Sequence, residues 1–312
     1  MDLVLQAIHS RVTDHFVGRR DEAGMLLAAL LSGRHVMLEG PPGTSKSTIL
    51  RSIVQEMGVP FVQVTGNSDL TAGKFIGYFD PAQALAKGYR PEDFQYGPLT
   101  QAMRQGAILY IEEFNRVPDD TTNVFITAIS ERELTIPRLG TVVAEPGFRL
   151  VAALNPHDDV GTTRVSRALR DRVCSMRMDY QSREEEIEIV KRNTGDAAAS
   201  LVTAAVEMVR RTRSHKEVRL GASVRGAIDM VLIARQLLEF GDGAVGANPA
   251  FASAVMALRD KIWLNETTGH SPEDVLEEIW HGVVEDGRAS EGELWNLGGP
   301  HEKKKLGRRE IS

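Results

Sequence analysis

The chain has 312 residues, 42% hydrophobic and 26% charged, with 43 acidic against 37 basic side chains and a formal net charge of −6. Length and apolar content point to roughly two domains with sizeable cores, and the mildly acidic balance argues against a dedicated nucleic-acid binder. The single cysteine, Cys174, excludes an internal disulfide framework and fits a reducing compartment; with no metal-like Cys or His spacing around it, it reads as a small buried apolar residue.

Met1 to Phe16 carries Asp2, His9, Arg11 and Asp14, which fits neither a signal peptide nor a membrane span, so a cytoplasmic protein is expected. Leu3 to His9 reads as a short amphipathic helix, and Asp21 to Leu31 as a second one stopped by Ser32-Gly33. The apolar run His35 to Glu39 reads as a strand. A helix over 46–57 ends at Gly58, and the alternating Phe61 to Thr65 gives a second strand, an order that implies a parallel sheet with right-handed crossovers.

Between the first strand and its helix stands Gly40-Pro41-Pro42-Gly43-Thr44-Ser45-Lys46-Ser47. A strand, a glycine-bearing turn and a helix start, in that order, form a concave site of backbone N–H groups at the positive end of a helix, suited to phosphate. Lys46 suits the β- and γ-phosphates and the Ser47 hydroxyl suits Mg²⁺. Ser45 stands where G-x-x-x-x-G-K-[ST] has its second glycine, and serine tolerates turns. The plainer reading is a glycine–proline turn with an incidental lysine.

Residues 66–98 lack clear periodicity and hold Gly66, Gly73, Gly77, Pro81, Gly88, Pro91, Gly97 and Pro98. They read as a loop or hairpin inserted after the second strand, or as a plain surface excursion. Leu99 to Gln105 is helical, and Ala107 to Ile111 is a strand of the kind buried on both faces, ending in Glu112-Glu113 at the sheet edge where ligands bind. Side chains alternate along a strand, so the two acids cannot play one part: one suits Mg²⁺ through water, the other the attacking water. Two solvated charges at a strand end are the alternative.

A helix follows over Asp119 to Arg132, then a β-hairpin from Glu133–Ile136 and Thr141–Ala144 around Pro137-Arg138-Leu139-Gly140. The strand Phe148 to Leu154 delivers Asn155-Pro156 to the same edge, either to orient water or as an ordinary Asn-Pro turn. Arg164, Arg167, Arg170 and Arg172 suit phosphate or carboxylate recognition, or a solvated helix face. After a strand-like 173–178 no strand pattern appears: helices are expected over 184–193, 197–213, 223–240 (ending at Gly241), 249–260 and 272–283. Three regions are therefore expected: 1–180, a helical 181–285, and a flexible glycine-rich and basic 286–312.

These motifs, in this order, resemble the AAA+ ATPases, and within them the MoxR branch, over about residues 10–240. Pro98-Leu99 with Gly106, Glu112 to Arg116, the hairpin before Asn155-Pro156, Asp171-Arg172 and Gly221-Ala222-Ser223-Val224-Arg225 carry the likeness. The resemblance implies an α/β P-loop NTPase with a central parallel five-stranded sheet, a helix-2 insert over 66–98, a hairpin over 134–147 before sensor 1, and a small all-α lid. It implies ATP and Mg²⁺ as ligands: Walker A at Gly40 to Thr48, with Ser47 and Glu112 on the metal, Glu113 as catalytic base, Asn155 as sensor 1, Arg225 as sensor 2, and Val17-Gly18 against adenine. Arg172 is assigned as the arginine finger, with Arg170 as its rival. It further implies a homo-oligomeric, hexameric ring acting as a chaperone-like remodeller or activator, with a separate von Willebrand factor A-type or other client protein. Glu112 in place of aspartate, Val224 in place of proline and Leu154 in place of glutamine depart from the pattern. A nucleic-acid-dependent motor of the MCM or McrB type, resting on Arg138, and a nucleotide-gated module without hydrolysis, resting on Ser45 and Glu112, are the competing readings; the negative charge argues against nucleic acid.

Overall fold

A computed structural model describes residues 2–14, 16–156, 165–240 and 248–286. Arg164, Gly241 and the tail from 287 lie outside the described residues. The chain divides into two units, Met1–Tyr180 and Gln181–Ser312.

The first unit opens with α1 (Asp2–Asp14), α2 (Arg20–Leu31), β1 (Val36–Glu39), α3 (Lys46–Met57) and β2 (Phe61–Thr65). Residues 66–98, expected to form a loop or hairpin, hold α4 (Ala72–Ile76), β3 (Gly77–Phe79), α5 (Pro81–Lys87) and β4 (Phe94–Tyr96), with β3 and β4 paired antiparallel. Next come α6 (Pro98–Gln105), β5 (Ile108–Glu112), α7 (Asp119–Ser130), the antiparallel pair β6 (Glu133–Ile136) and β7 (Gly140–Val143), β8 (Arg149–Leu154), α8 (Arg167–Arg170) and β9 (Cys174–Arg177). Five strands pair in parallel in the order β2-β5-β8-β1-β9.

The sheet is covered on both faces, and the period of two sorts its residues. From β5, Leu109 and Ile111 join Phe125, Phe148 and Leu150 in one core, while Ile108 and Tyr110 join Leu38, Ile49 and Ile53 in the other. Cys174 is exposed, not buried as expected, because β9 is an edge strand with little covering it. The two excursions are joined by stacked rings. Arg138 at the β6–β7 tip lies 3.8 Å over Tyr89, whose ring meets Phe79, which meets Phe94, which meets Tyr96, and Arg104 on α6 lies 3.9 Å over Tyr96.

At the amino edge of the sheet, buried His35 accepts a hydrogen bond at Nδ1 from the Leu150 N–H (2.9 Å), so its proton sits on Nε2. Burial, with Arg149, Arg132 and Arg34 nearby, lowers its pKa to about 4.

The second unit comprises α9 (Arg183–Thr194), α10 (Ala199–Ser214), β10 (Val218–Leu220), α11 (Val224–Glu239), α12 (Pro249–Leu258), β11 (Trp263–Leu264) and α13 (Pro272–Glu285). A Ser182–Glu185 capping box starts α9 and a Ser271–Asp274 box starts α13. The antiparallel pair β10–β11 departs from the expectation of no strand after 180; segments of three and two residues are too short to show alternation. Glu186 on α9 is buried and receives Arg210 at 3.0 Å. Arg213 Nη2 lies 2.7 Å from its other oxygen, off the hydrogen-bond direction, so that contact is an ion pair only.

Candidate functional site

The site grows from the carboxyl ends of β1, β5 and β8. β1 delivers Gly40, whose N–H bonds the Leu154 carbonyl at 3.2 Å and whose missing side chain leaves room for the Met178 carbonyl oxygen. The loop then turns through Gly43 (φ 78°) and Ser45 (φ 66°, ψ 18°), and α3 starts at Lys46. Ser45 thus holds the left-handed conformation that favours glycine, which is why a glycine is usual there. Buried Thr44 donates to the Pro41 carbonyl at 2.9 Å, Gly43 is half-buried, and Pro42 and Thr48 are exposed. Lys46 Nζ folds over the loop, 2.7 Å from both the Gly40 and the Pro41 carbonyl oxygens and 3.3 Å from Thr44 Oγ1.

Ser47 and Glu112 meet directly. The Ser47 hydroxyl donates to Glu112 Oε1 and lies 2.9 Å from the Tyr110 hydroxyl, which is itself 3.3 Å from the same carboxylate oxygen. Gln63 on β2 donates through Nε2 to Glu112 Oε2 at 3.1 Å, and its own oxygen accepts from Arg51 at 2.7 Å. Burial pushes the Tyr110 phenol above its usual range, so it stays a neutral O–H. Among the described residues no cation pairs with Glu112. Two hard oxygens in contact, at the positive start of a helix, fit Mg²⁺, which takes few protein ligands and fills its shell with water and phosphate.

The backbone leaves the strand between Glu112 and Glu113. β5 ends at Glu112, and Glu113 takes φ 50°, ψ 42°, half exposed and 3.3 Å from Arg116. Gly66 makes this turn possible: its N–H bonds the Glu112 carbonyl at 2.7 Å, and a Cβ there would overlap the Glu113 carbonyl oxygen. Asn155 follows β8 at the same edge, its carbonyl 3.5 Å from Asn115 Nδ2. Val17 and Gly18 precede α2, and the next residue, buried Arg19, fixes them: it pairs with Glu22 at 2.6 Å and donates to the Asp179 carbonyl.

The two arginine candidates differ. Arg170 pairs with Glu39, the residue before the loop, at 2.5 Å, whereas Arg172 donates to Ser130 Oγ and, at 2.7 Å, to the Ala168 carbonyl. Arg225 lies exposed in the first turn of α11, in the second unit. The preceding segment is pinned within that unit: Arg213 Nε donates to the Ala222 carbonyl at 2.8 Å, the Ala222 N–H bonds Thr212 Oγ1 at 3.0 Å, and Gly221 lies against the Arg213 backbone.

Tyr110, Gln63, Arg51, Gly66 and Arg19 are the residues that sequence reasoning missed. The spacing of Tyr110 and Glu112 at i, i+2 on one strand was a signal that both share a face; Gln63 carried no such signal.

Residues 35–173 match the AAA domain (dynein-related subfamily), and residues 3–63 match the MoxR domain of MoxR-vWA-beta-propeller ternary systems. The chain is 34% identical to protein CbbQ of Hydrogenophilus thermoluteolus, over 69% of this chain and 79% of that one. It is 31% identical to protein NorQ of Paracoccus denitrificans, over 68% and 72%. The fold is similar to that of the Thermotoga maritima RuvB Holliday junction branch migration motor, with TM-score 0.53 and 18% identity over 93% of this chain and 89% of that structure. Among the described residues no helix is long and apolar enough to cross a membrane.

Proposed function

The chain belongs to the MoxR family of AAA+ ATPases, and from that premise we propose that it binds ATP with Mg²⁺, hydrolyses it in a homo-oligomeric ring, and uses the cycle to remodel or activate a partner protein. The observation that carries this reading is the direct contact of Ser47 with Glu112 beside a loop over whose carbonyls Lys46 folds.

Lys46 exchanges its loop carbonyls for the β- and γ-phosphate oxygens, and the amides of 43–47 bind the phosphates at the positive end of α3. Ser47 and Glu112 would hold Mg²⁺, which would supply charge neutralisation for the phosphates. Glu113, half exposed and in a left-handed turn just past the strand end, accepts the proton of the attacking water, and Asn155 orients that water. Val17 and Gly18 receive the base. Arg172 stabilises the transferring phosphoryl group of a neighbouring subunit; the Arg170–Glu39 pair, made within one chain, supports this choice. Arg225 couples the nucleotide state to the second unit. A hexameric ring, a von Willebrand factor A-type partner and a cytoplasmic location complete the proposal. The MoxR-vWA-beta-propeller domain match supports that partner class. The guanidinium of Arg138, on which a nucleic-acid motor would rest, is engaged over Tyr89.

Mixing subunits tests the shared site. Lys46→Ala and Arg172→Ala should each lower steady-state ATP hydrolysis by about 10³-fold or more, and their mixture should recover activity. A mixture as inactive as its components would overturn the shared site, and rapid turnover by Glu113→Gln would remove that residue from its role.

A further inference from the structure

Glutamate at the metal position carries one more rotatable bond than aspartate, so its carboxylate needs more ordering before it can hold a cation in one geometry. The structure shows what provides it. Tyr110, fully buried, stands two residues before Glu112 on the same face of β5, and its hydroxyl reaches both Ser47 Oγ (2.9 Å) and Glu112 Oε1 (3.3 Å). Gln63, paired with Tyr110 across the β2–β5 ladder, reaches the other oxygen at 3.1 Å. Arg51 has only donors to offer, so the Gln63 oxygen must face it and the Gln63 NH₂ must face Glu112. Both carboxylate oxygens are therefore oriented by neutral donors, with no cation among the described residues to satisfy them.

We propose that Tyr110 and Gln63 are positioning residues that hold Glu112 and Ser47 as a preformed Mg²⁺ site, with Arg51 fixing the Gln63 amide. The inference rests on the nucleotide reading above and assigns the residues that adapt this site to glutamate. Tyr110 keeps its hydroxyl within reach of Ser47 and Glu112, beside the bond that Ser47 donates to the carboxylate, and this would leave a Ser47 lone pair for the ion. Gln63 keeps the second oxygen from rotating away.

The test measures binding of a fluorescent ATP analogue to the full chain in EDTA and across a Mg²⁺ titration. Tyr110→Phe and Gln63→Met should bind the analogue in EDTA as the parent does, while the Mg²⁺ concentration needed to tighten binding rises about tenfold. In a Glu112→Asp background, where the shorter arm withdraws from both donors, Tyr110→Phe should shift that concentration less than about twofold. Unchanged Mg²⁺ midpoints in both single variants, or an equal loss in EDTA and in Mg²⁺, would overturn the proposal alone. Failure of the parent chain to bind the analogue at all would overturn the nucleotide reading and this inference together.

Discussion

Glu112 in the first unit and Glu186 in the second are both glutamates with both carboxylate oxygens engaged, and they differ in who engages them. Glu186 is closed by Arg210 and Arg213, so its charge is cancelled within the fold. Among the described residues Glu112 is held by Ser47, Tyr110 and Gln63, all neutral, so its direction is fixed and its charge is not cancelled. A charge that is oriented but not neutralised leaves work for a ligand, whereas a neutralised one is part of the scaffold. That contrast, more than burial or conserved-looking spacing, separates a site from a structural ion network here.

Removing the charges should break the comparison unequally. The reporters are already separated, because all three tryptophans lie after residue 180 and all five tyrosines at or before it. Glu186→Gln leaves two arginines facing a neutral amide and should cost about 3–5 kcal/mol in urea unfolding followed by tryptophan fluorescence. Glu112→Gln removes an uncancelled charge and should change the tyrosine-reported transition of Mg²⁺-free protein by less than about 1 kcal/mol, or raise it. Equal losses would mean that the two glutamates do the same job.

The amino edge of the sheet sharpens the contrast through pH. His35 is held neutral, with a folded pKa near 4 against 6.5 unfolded. Its contribution is therefore complete above pH 6.5 and is lost as pH falls from there toward 4, by about 3 kcal/mol in total. The tyrosine-reported urea midpoint should fall across that window, and His35→Asn, which keeps an acceptor for the Leu150 N–H without the titration, should flatten it. An unchanged slope in that variant would place the acid sensitivity elsewhere.

The smallest effect belongs to the loop. Ser45→Gly relieves a left-handed serine and should stabilise the first unit by about 0.5–1 kcal/mol. A loss instead would mean that the Ser45 side chain contributes more than its backbone strain costs.

Local pattern carried much of this into the sequence. The helix Lys46–Met57 and strand Phe61–Thr65 have the expected bounds, because a terminating glycine and a run of alternating residues are short-range signals. The parallel sheet followed from their order. What stayed hidden depends on neighbours distant in the chain. Tyr110 inside an apolar strand reads as core until Ser47 is seen above it, and Gln63 gains meaning only from the strand beside it. Cys174 looked buried because edge position is a property of the sheet, not of the residue. Alternation along the strand was the expectation for Glu112 and Glu113, but the strand ends at Glu112 and Glu113 takes a left-handed turn that Gly66 makes room for.

The rings running from Arg138 through Tyr89, Phe79, Phe94 and Tyr96 to Arg104 have a mechanical meaning. Rings in edge contact join the β6–β7 tip and the α4–β4 excursion into one connected element rather than two separate flaps. That element is footed on α6 through Arg104, and α6 runs through Gly106 into the strand that ends at Glu112. A displacement at the outer tip thus has a contiguous route of side-chain contacts to the base of the strand that ends at Glu112.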